Sequence, residues 1–152
     1  MPSNEAGMQQ IGIILVTHVD YGSALLRAAE FILGPVQDCA CIQVDSSLEV
    51  EETVTRLQEA VERLSSGHGV LVLTDMFGGT PTNLSLSLLG SRDDVEVLTG
   101  VNLPMLLKVL SSRKMALSEL AEAAEQAGRE GIVAAGQMLR SKKQVQHEDS
   151  GE

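Results

Sequence analysis

No apolar stretch in this chain approaches the ~18 residues needed to span a bilayer, although hydrophobic residues make up 43% of its 152 positions. The opening residues lack a basic segment followed by an apolar one, so no secretory signal is expected. Cysteine is scarce. Cys39 and Cys41 are the only two, and they lie two residues apart within one apparent strand. Side chains at that spacing share a sheet face, where a bridge between them is poorly placed. A Cys-x-Cys metal pair would need further ligands at suitable spacing, and none is found, so neither a metal nor another cofactor is expected. Buried thiols in a reducing cytoplasm fit better. Basic residues are also few: 11 Lys and Arg stand against 21 Asp and Glu, for a net charge of -10. That balance argues against nucleic acid as the main partner. It suits solubility, and it is compatible with a basic protein partner. Repeats and linkers are absent too, which with the length points to one domain. Residues 1–9 and 141–152 are polar and read as flexible tails around a folded unit at 10–140.

What the chain does have is alternation of strand-like and helix-like segments. Apolar runs at 11–16, about 39–44, 70–74 and about 95–99 read as strands. Between the first two, a helix is expected from about Gly22 to Leu33, with Ala24, Leu25, Ala28, Ala29 and Ile32 on one face and Gly34-Pro35 as its stop. A capping box, Ser46 to Glu49, opens the next helix, whose stripe is Val50, Val54, Leu57, Val61 and Leu64. Thr80 reads as an N-cap with Pro81 at the first helical position, starting a helix to about Leu89. Asn102 can cap a helix over 103–111, and another helix covers about 117–127. Ile132–Ala135 fits either a short fifth strand or a continued helix. Strands alternating with helices give a parallel sheet covered on both faces. The expectation is therefore an α/β three-layer sandwich with a mainly parallel, doubly wound sheet.

The strand order follows from what ends the first and third strands. His18 lies two residues past the run Ile11–Val16, and Asp75 follows Val70–Thr74. Carboxyl ends of parallel strands are where ligands and chemistry collect. If His18 and Asp75 are to meet there, these two strands must be neighbours, and the order 2-1-3-4 does this with its switch point between them. Neutral imidazole is nucleophilic near neutral pH. A carboxylate on its far nitrogen would fix the tautomer and stabilise the positive ring formed on attack. Behind Asp75 comes the turn Gly78-Gly79-Thr80-Pro81, which offers backbone N–H groups, a hydroxyl and a helix start to phosphate oxygens. Histidine, aspartate and glycine turn together suggest an imidazole that handles phosphate. His68 precedes the third strand at its amino end, and His147 lies in the polar tail; both read as inert.

These residues resemble the IIA component of the mannose-type family of the bacterial sugar phosphotransferase system. The resemblance rests on Gly12-Ile13-Ile14-Leu15-Val16-Thr17-His18, on Ala29-Glu30-x-Ile32-Leu33-Gly34 and on Asp75-x-x-Gly78-Gly79-Thr80-Pro81-x-Asn83. It continues through Gly100-Val101-Asn102-Leu103-Pro104-Met105 and Gly128-Arg129-Glu130-Gly131, in order, across about residues 10 to 136. It implies that His18 is the phosphorylated histidine, Asp75 the orienting aspartate, and Thr80 the hydroxyl residue of the phosphate loop with Gly78 and Gly79. It implies phospho-HPr as donor, a separate IIB component as acceptor, membrane subunits reached only indirectly, and a homodimer exchanging a C-terminal antiparallel edge strand near Ile132–Ala135. A phosphohistidine-forming transferase component of the cytoplasm is the expected function. The alternative is a regulatory, phosphorylation-sensing module of a cascade without a transporter. One departure stands out. Family members often have glycine directly after the histidine, where this chain has Val19 and then Asp20.

Overall fold

The computed structural model describes residues 9–151. The expected tail at 1–9 thus lies, but for Gln9, outside the described residues. Four strands, β1 (Gly12–His18), β2 (Cys39–Val44), β3 (Val70–Thr74) and β4 (Val95–Thr99), form one parallel sheet in the order β2-β1-β3-β4. The register sets Val16 opposite Thr74 in the β1–β3 pair. The two following carboxyl-end residues, His18 and Asp75, therefore emerge side by side.

Among the described residues six helices follow in chain order, α1 (Tyr21–Leu33), α2 (Val50–Leu64), α3 (Thr80–Leu86), α4 (Leu103–Ser111), α5 (Leu117–Glu130) and α6 (Ala135–Asp149), of which the first five pack around the sheet. Period-two alternation divides the core between the sheet's faces. Ile13, Leu15, Leu71 and Leu73 pack with Ala29 of α1, Leu106 of α4 and Leu120 of α5. Ile14, Val16, Val70 and Val72 pack with Leu57 and Val61 of α2. Each of these strand residues is fully buried, and burying such an aliphatic side chain stabilises by about 1.5–3 kcal/mol. No helix among the described residues is long and apolar enough to cross a membrane.

Local chemistry shifts several expected boundaries. The Ser46–Glu49 capping box does not form. Asp45 Oδ1 accepts the Ser47 N–H at 2.7 Å and also its hydroxyl, so these residues close a turn instead. Glu49 then caps α2 without a side-chain bond. The buried stripe of α2 starts at Thr53 rather than at Val50, which is exposed. In α1, Leu25 and Ala29 face the core as expected, but Leu26 joins them while Ile32 is turned to solvent. Gly79 is the N-cap of α3, so Thr80 and Pro81 move one place into the helix, which ends at Leu86. Asn102 caps α4 as expected, accepting from Met105 N–H at 3.0 Å. Cys39 and Cys41 are free and half-buried. Burial pushes the Cys39 thiol up to about 11, against the pull of Arg113.

The C-terminal segment departs furthest from expectation. Ile132–Ala134 is neither strand nor helix, and α6 begins at Ala135 and continues to Asp149, across most of the expected tail at 141–152. It buries none of its side chains. Polar sequence without a 3.6-residue apolar pattern gave no sign of this helix.

Candidate functional site

Thr17, the last buried residue of β1, accepts the Gly22 N–H on its hydroxyl at 2.7 Å and so ties the start of α1 back to the strand. Between them the chain turns sharply. Val19 adopts φ +44°, a left-handed conformation that is rare for a β-branched residue. Its N–H donates to Val44 O at 3.0 Å. The turn leaves the side chain of His18 47% exposed, against 15% for Asp75.

His18 and Asp75 meet twice. Asp75 Oδ2 accepts the His18 main-chain N–H at 2.9 Å and lies 2.7 Å from its Nδ1. Asp75 Oδ1 accepts the Met76 N–H at 3.0 Å. Partial burial alone would raise the pKa of Asp75. The hydrogen bonds from the His18 backbone and ring, together with the ring's charge and the local backbone, outweigh it and hold the carboxyl below its ordinary value. An ionised Asp75 beside Nδ1 favours the tautomer with the proton on Nδ1. The lone pair is then on Nε2, the ring nitrogen with no hydrogen-bond partner among the described residues.

The glycine turn closes over that side of the ring. Gly78 has φ +84°, where glycine is favoured. At Gly79 a Cβ would lie 3.0 Å from His18 Cε1 and 3.6 Å from Nε2, so a larger residue would crowd that edge of the ring. Thr80 begins α3, whose first-turn N–H groups have no acceptor within the helix. Thr80 and His18 share the wall of an open cleft of about 340 Å³ with Val44, Asp45, Ser46 and Leu84. All five expected site residues are thus gathered in one place: His18, Asp75, Gly78, Gly79 and Thr80. His68 sits at the opposite end of β3 with its ring near Gln9, and His147 lies on α6. Among the described residues, no group of three or more His, Cys, Asp and Glu side chains gathers as a metal site.

Two residues that sequence reasoning passed over support the turn. Thr74 and Thr82 are fully or almost fully buried, and their hydroxyls lie 2.6 Å apart. Thr82 also donates to Met76 O at 2.6 Å. Their sequence signal was faint: a threonine on each side of the Asp75–Pro81 segment. Tyr21 was missed as well; its hydroxyl donates to Val101 O at 2.9 Å, joining α1 to the β4–α4 connection.

The family model described as PTS system fructose IIA component matches residues 12–127. The chain belongs to that family. It is 32% identical to the PTS system fructose-specific EIIA component of Bacillus subtilis over 111 residues, covering 72% of this chain and 76% of that protein. It is equally identical over 126 residues to the PTS system mannose-specific EIIAB component of Escherichia coli, covering 82% of this chain. The chain matches only 39% of that longer relative. Among solved structures, phosphotransferase system component EIIA from Streptococcus agalactiae superposes with a TM-score of 0.77 at 31% identity, covering 84% of this chain and 98% of that one. The mannose-type IIA resemblance of the motifs and the α/β architecture with order 2-1-3-4 therefore both hold for this chain.

Proposed function

We propose that this IIA protein is a phosphoryl carrier that accepts phosphate on His18 from phospho-HPr and passes it to a IIB component. The observation that carries the proposal is the 2.7 Å contact between His18 Nδ1 and Asp75 Oδ2, which leaves Nε2 as the unpaired nitrogen of a half-exposed ring beside the glycine turn. The Nε2 lone pair attacks phosphorus, the Nε2–P bond forms, and the bond from phosphorus to the donor breaks. The Nδ1 proton stays on the ring beside Asp75, whose charge offsets the positive ring. Gly78, Gly79 and Thr80 supply the phosphoryl oxygens with main-chain N–H groups and a hydroxyl. Hand-off to IIB is the same displacement run from the phosphohistidine to the acceptor's nucleophile. The test is incubation with phosphoenolpyruvate, enzyme I and HPr, followed by intact mass. Wild type, His68→Ala and His147→Ala gain one acid-labile phosphoryl group, and His18→Ala gains none. Labelling that persists in His18→Ala would end the proposal.

The protein acts as a homodimer in this reading. β4 is an edge strand of the sheet, and exposed edges are usually paired or covered. A cleft of about 370 Å³ runs beside β4 and reaches Ile132, which is 79% exposed. The Ile132–Ala135 segment of a second copy pairs there. Light scattering of the full chain at micromolar concentration reads a dimer, and truncation after Arg129 reads a monomer. A monomeric full chain, or a dimer surviving truncation, removes this segment from the interface.

A further inference from the structure

Thr82 is too deep to touch a phosphoryl group, yet its hydroxyl is bonded on both sides. One hydroxyl has one proton to give. Since Thr82 donates to Met76 O, the proton between the two threonines comes from Thr74. The chain runs in one direction, from Thr74 O–H to Thr82 O–H to the Met76 carbonyl. The main chain of Met76 is then held on both sides of its Cα, because its N–H is the donor to Asp75 Oδ1 at 3.0 Å. Asp75 in turn holds His18 through Oδ2. Thr74 is itself fixed in the sheet, and its carbonyl accepts from Gly100 N–H at 2.9 Å and Val101 N–H at 3.0 Å.

The side chains that follow in this loop give it no other hold. Met76 and Phe77 are 56% and 77% exposed, so packing does not fix the segment between Asp75 and Gly79. The hydroxyl of Thr82 is what joins this loop to α3.

We propose that Thr82 is a positioning residue for phosphoryl transfer, setting the Asp75 carboxylate against His18 Nδ1 through the main chain of Met76. The inference rests on the carrier reading for its kinetic consequence but not for its geometric one. Thr82→Val keeps the shape and removes the hydroxyl. It leaves the Thr74 hydroxyl and the Met76 carbonyl without their partner, and the loop relaxes. Misplacement of a reacting group by this order costs roughly tenfold to a hundredfold in rate.

The experiment pairs kinetics with NMR on the full chain. Rapid-quench phosphorylation by phospho-HPr gives the maximal rate and the donor concentration at half-rate. Imidazole ¹⁵N and N–H resonances of His18 give its tautomer. In Thr82→Val the maximal rate falls about tenfold or more with little change in half-rate concentration, and the Nδ1–H resonance weakens as the tautomers mix. Thr82→Ser, which keeps the hydroxyl, restores both readouts. Wild-type rate and tautomer in a folded Thr82→Val protein overturn the proposal. Should Thr82→Val not fold, Thr82→Ala and Thr82→Ser form the deciding pair: equal loss in both assigns the effect to the missing methyl and overturns it, while loss in Thr82→Ala alone upholds it. A wild-type chain that takes no phosphate defeats the carrier reading, and the NMR comparison still decides the role of Thr82.

Discussion

At the amino end of the sheet Arg113 is buried, and its guanidinium donates to the carbonyls of Ile11, Gln37 and Asp38. At the carboxyl end His18 stands half exposed, flanked by exposed Val19, Met76 and Phe77. Each end also contains a non-glycine residue with positive φ: Asp38 at +55° and Val19 at +44°. Aspartate tolerates the left-handed region, and valine does not. Asp38 is moreover held by Ile13 N–H and Arg113 on its carbonyl. One end of the same four strands thus joins chain segments that are far apart in sequence, while the other holds the His18 ring in a strained and open turn. Strain of this kind concentrates at functional sites and persists because the rest of the fold over-determines it.

The largest expected effect lies at the carboxyl end. Asp75→Asn keeps the carbonyl acceptor but removes the charge that fixes the Nδ1–H tautomer, so phosphoryl acceptance by His18 falls by roughly 10²–10⁴ while far-UV circular dichroism stays native. Unchanged transfer kinetics would show that Asp75 is only a turn residue. The same variant has a pH signature. The Asp75 pKa is lowered on folding, so the folded state is favoured at pH above the unfolded carboxyl value of about 3.9. That contribution is lost as pH falls through the lower, folded value. Urea midpoints of wild type and Asp75→Asn should therefore differ most above about pH 5 and converge under acid conditions. A gap that widens in acid reverses the sign and rules out the ionised pair as its source.

At the amino end the expected effect is on stability and not on rate. Arg113→Met removes the donors to three carbonyls in a place where water cannot fully replace them. Hydrogen bonds to charged groups are strong and buried acceptors are costly to leave unpaired, so a loss of about 3 kcal/mol is expected in urea unfolding. The folded fraction should accept phosphate on His18 at the wild-type rate. A slow but stable Arg113→Met protein would break the division between the two ends.

How much of this could be read in the sequence follows the same division. The strands were legible as apolar runs with helices between them, and their order followed once His18 and Asp75 at two strand ends were required to meet. The glycine turn was legible because Gly-Gly-Thr-Pro is strong local punctuation. The Arg113 clamp was not, since its acceptors are main-chain carbonyls up to 102 residues away and carbonyls have no sequence signature. The Thr74–Thr82 pair failed for a related reason: a buried hydroxyl is informative only once its partner is known. The Ser46–Glu49 box misled because Asp45 competes for Ser47, a local alternative of equal range. Polar α6, with no buried side chain, offered no apolar periodicity to find.

The smallest expected effect sharpens the comparison at Val19. A left-handed conformation costs a residue with a Cβ about 1–2 kcal/mol, and more crowding comes with β-branching. Val19→Gly removes that cost, but glycine also gives the unfolded chain more freedom, a penalty of about 0.5–1 kcal/mol. The Val19 side chain is more than half exposed, so little burial is lost in the exchange. The difference leaves a net gain of about 0.5–1 kcal/mol, or about 1–4 °C in thermal midpoint for a chain of this size. The hydrogen bond from residue 19 N–H to Val44 O is a main-chain bond and survives the change. His18 should accept phosphate at close to the wild-type rate, because its contacts to Asp75 do not involve the Val19 side chain. A lower midpoint in differential scanning calorimetry would mean that the turn is not strained. A raised midpoint with slowed transfer would mean that the strain is used to hold the ring, and the valine would then belong to the site.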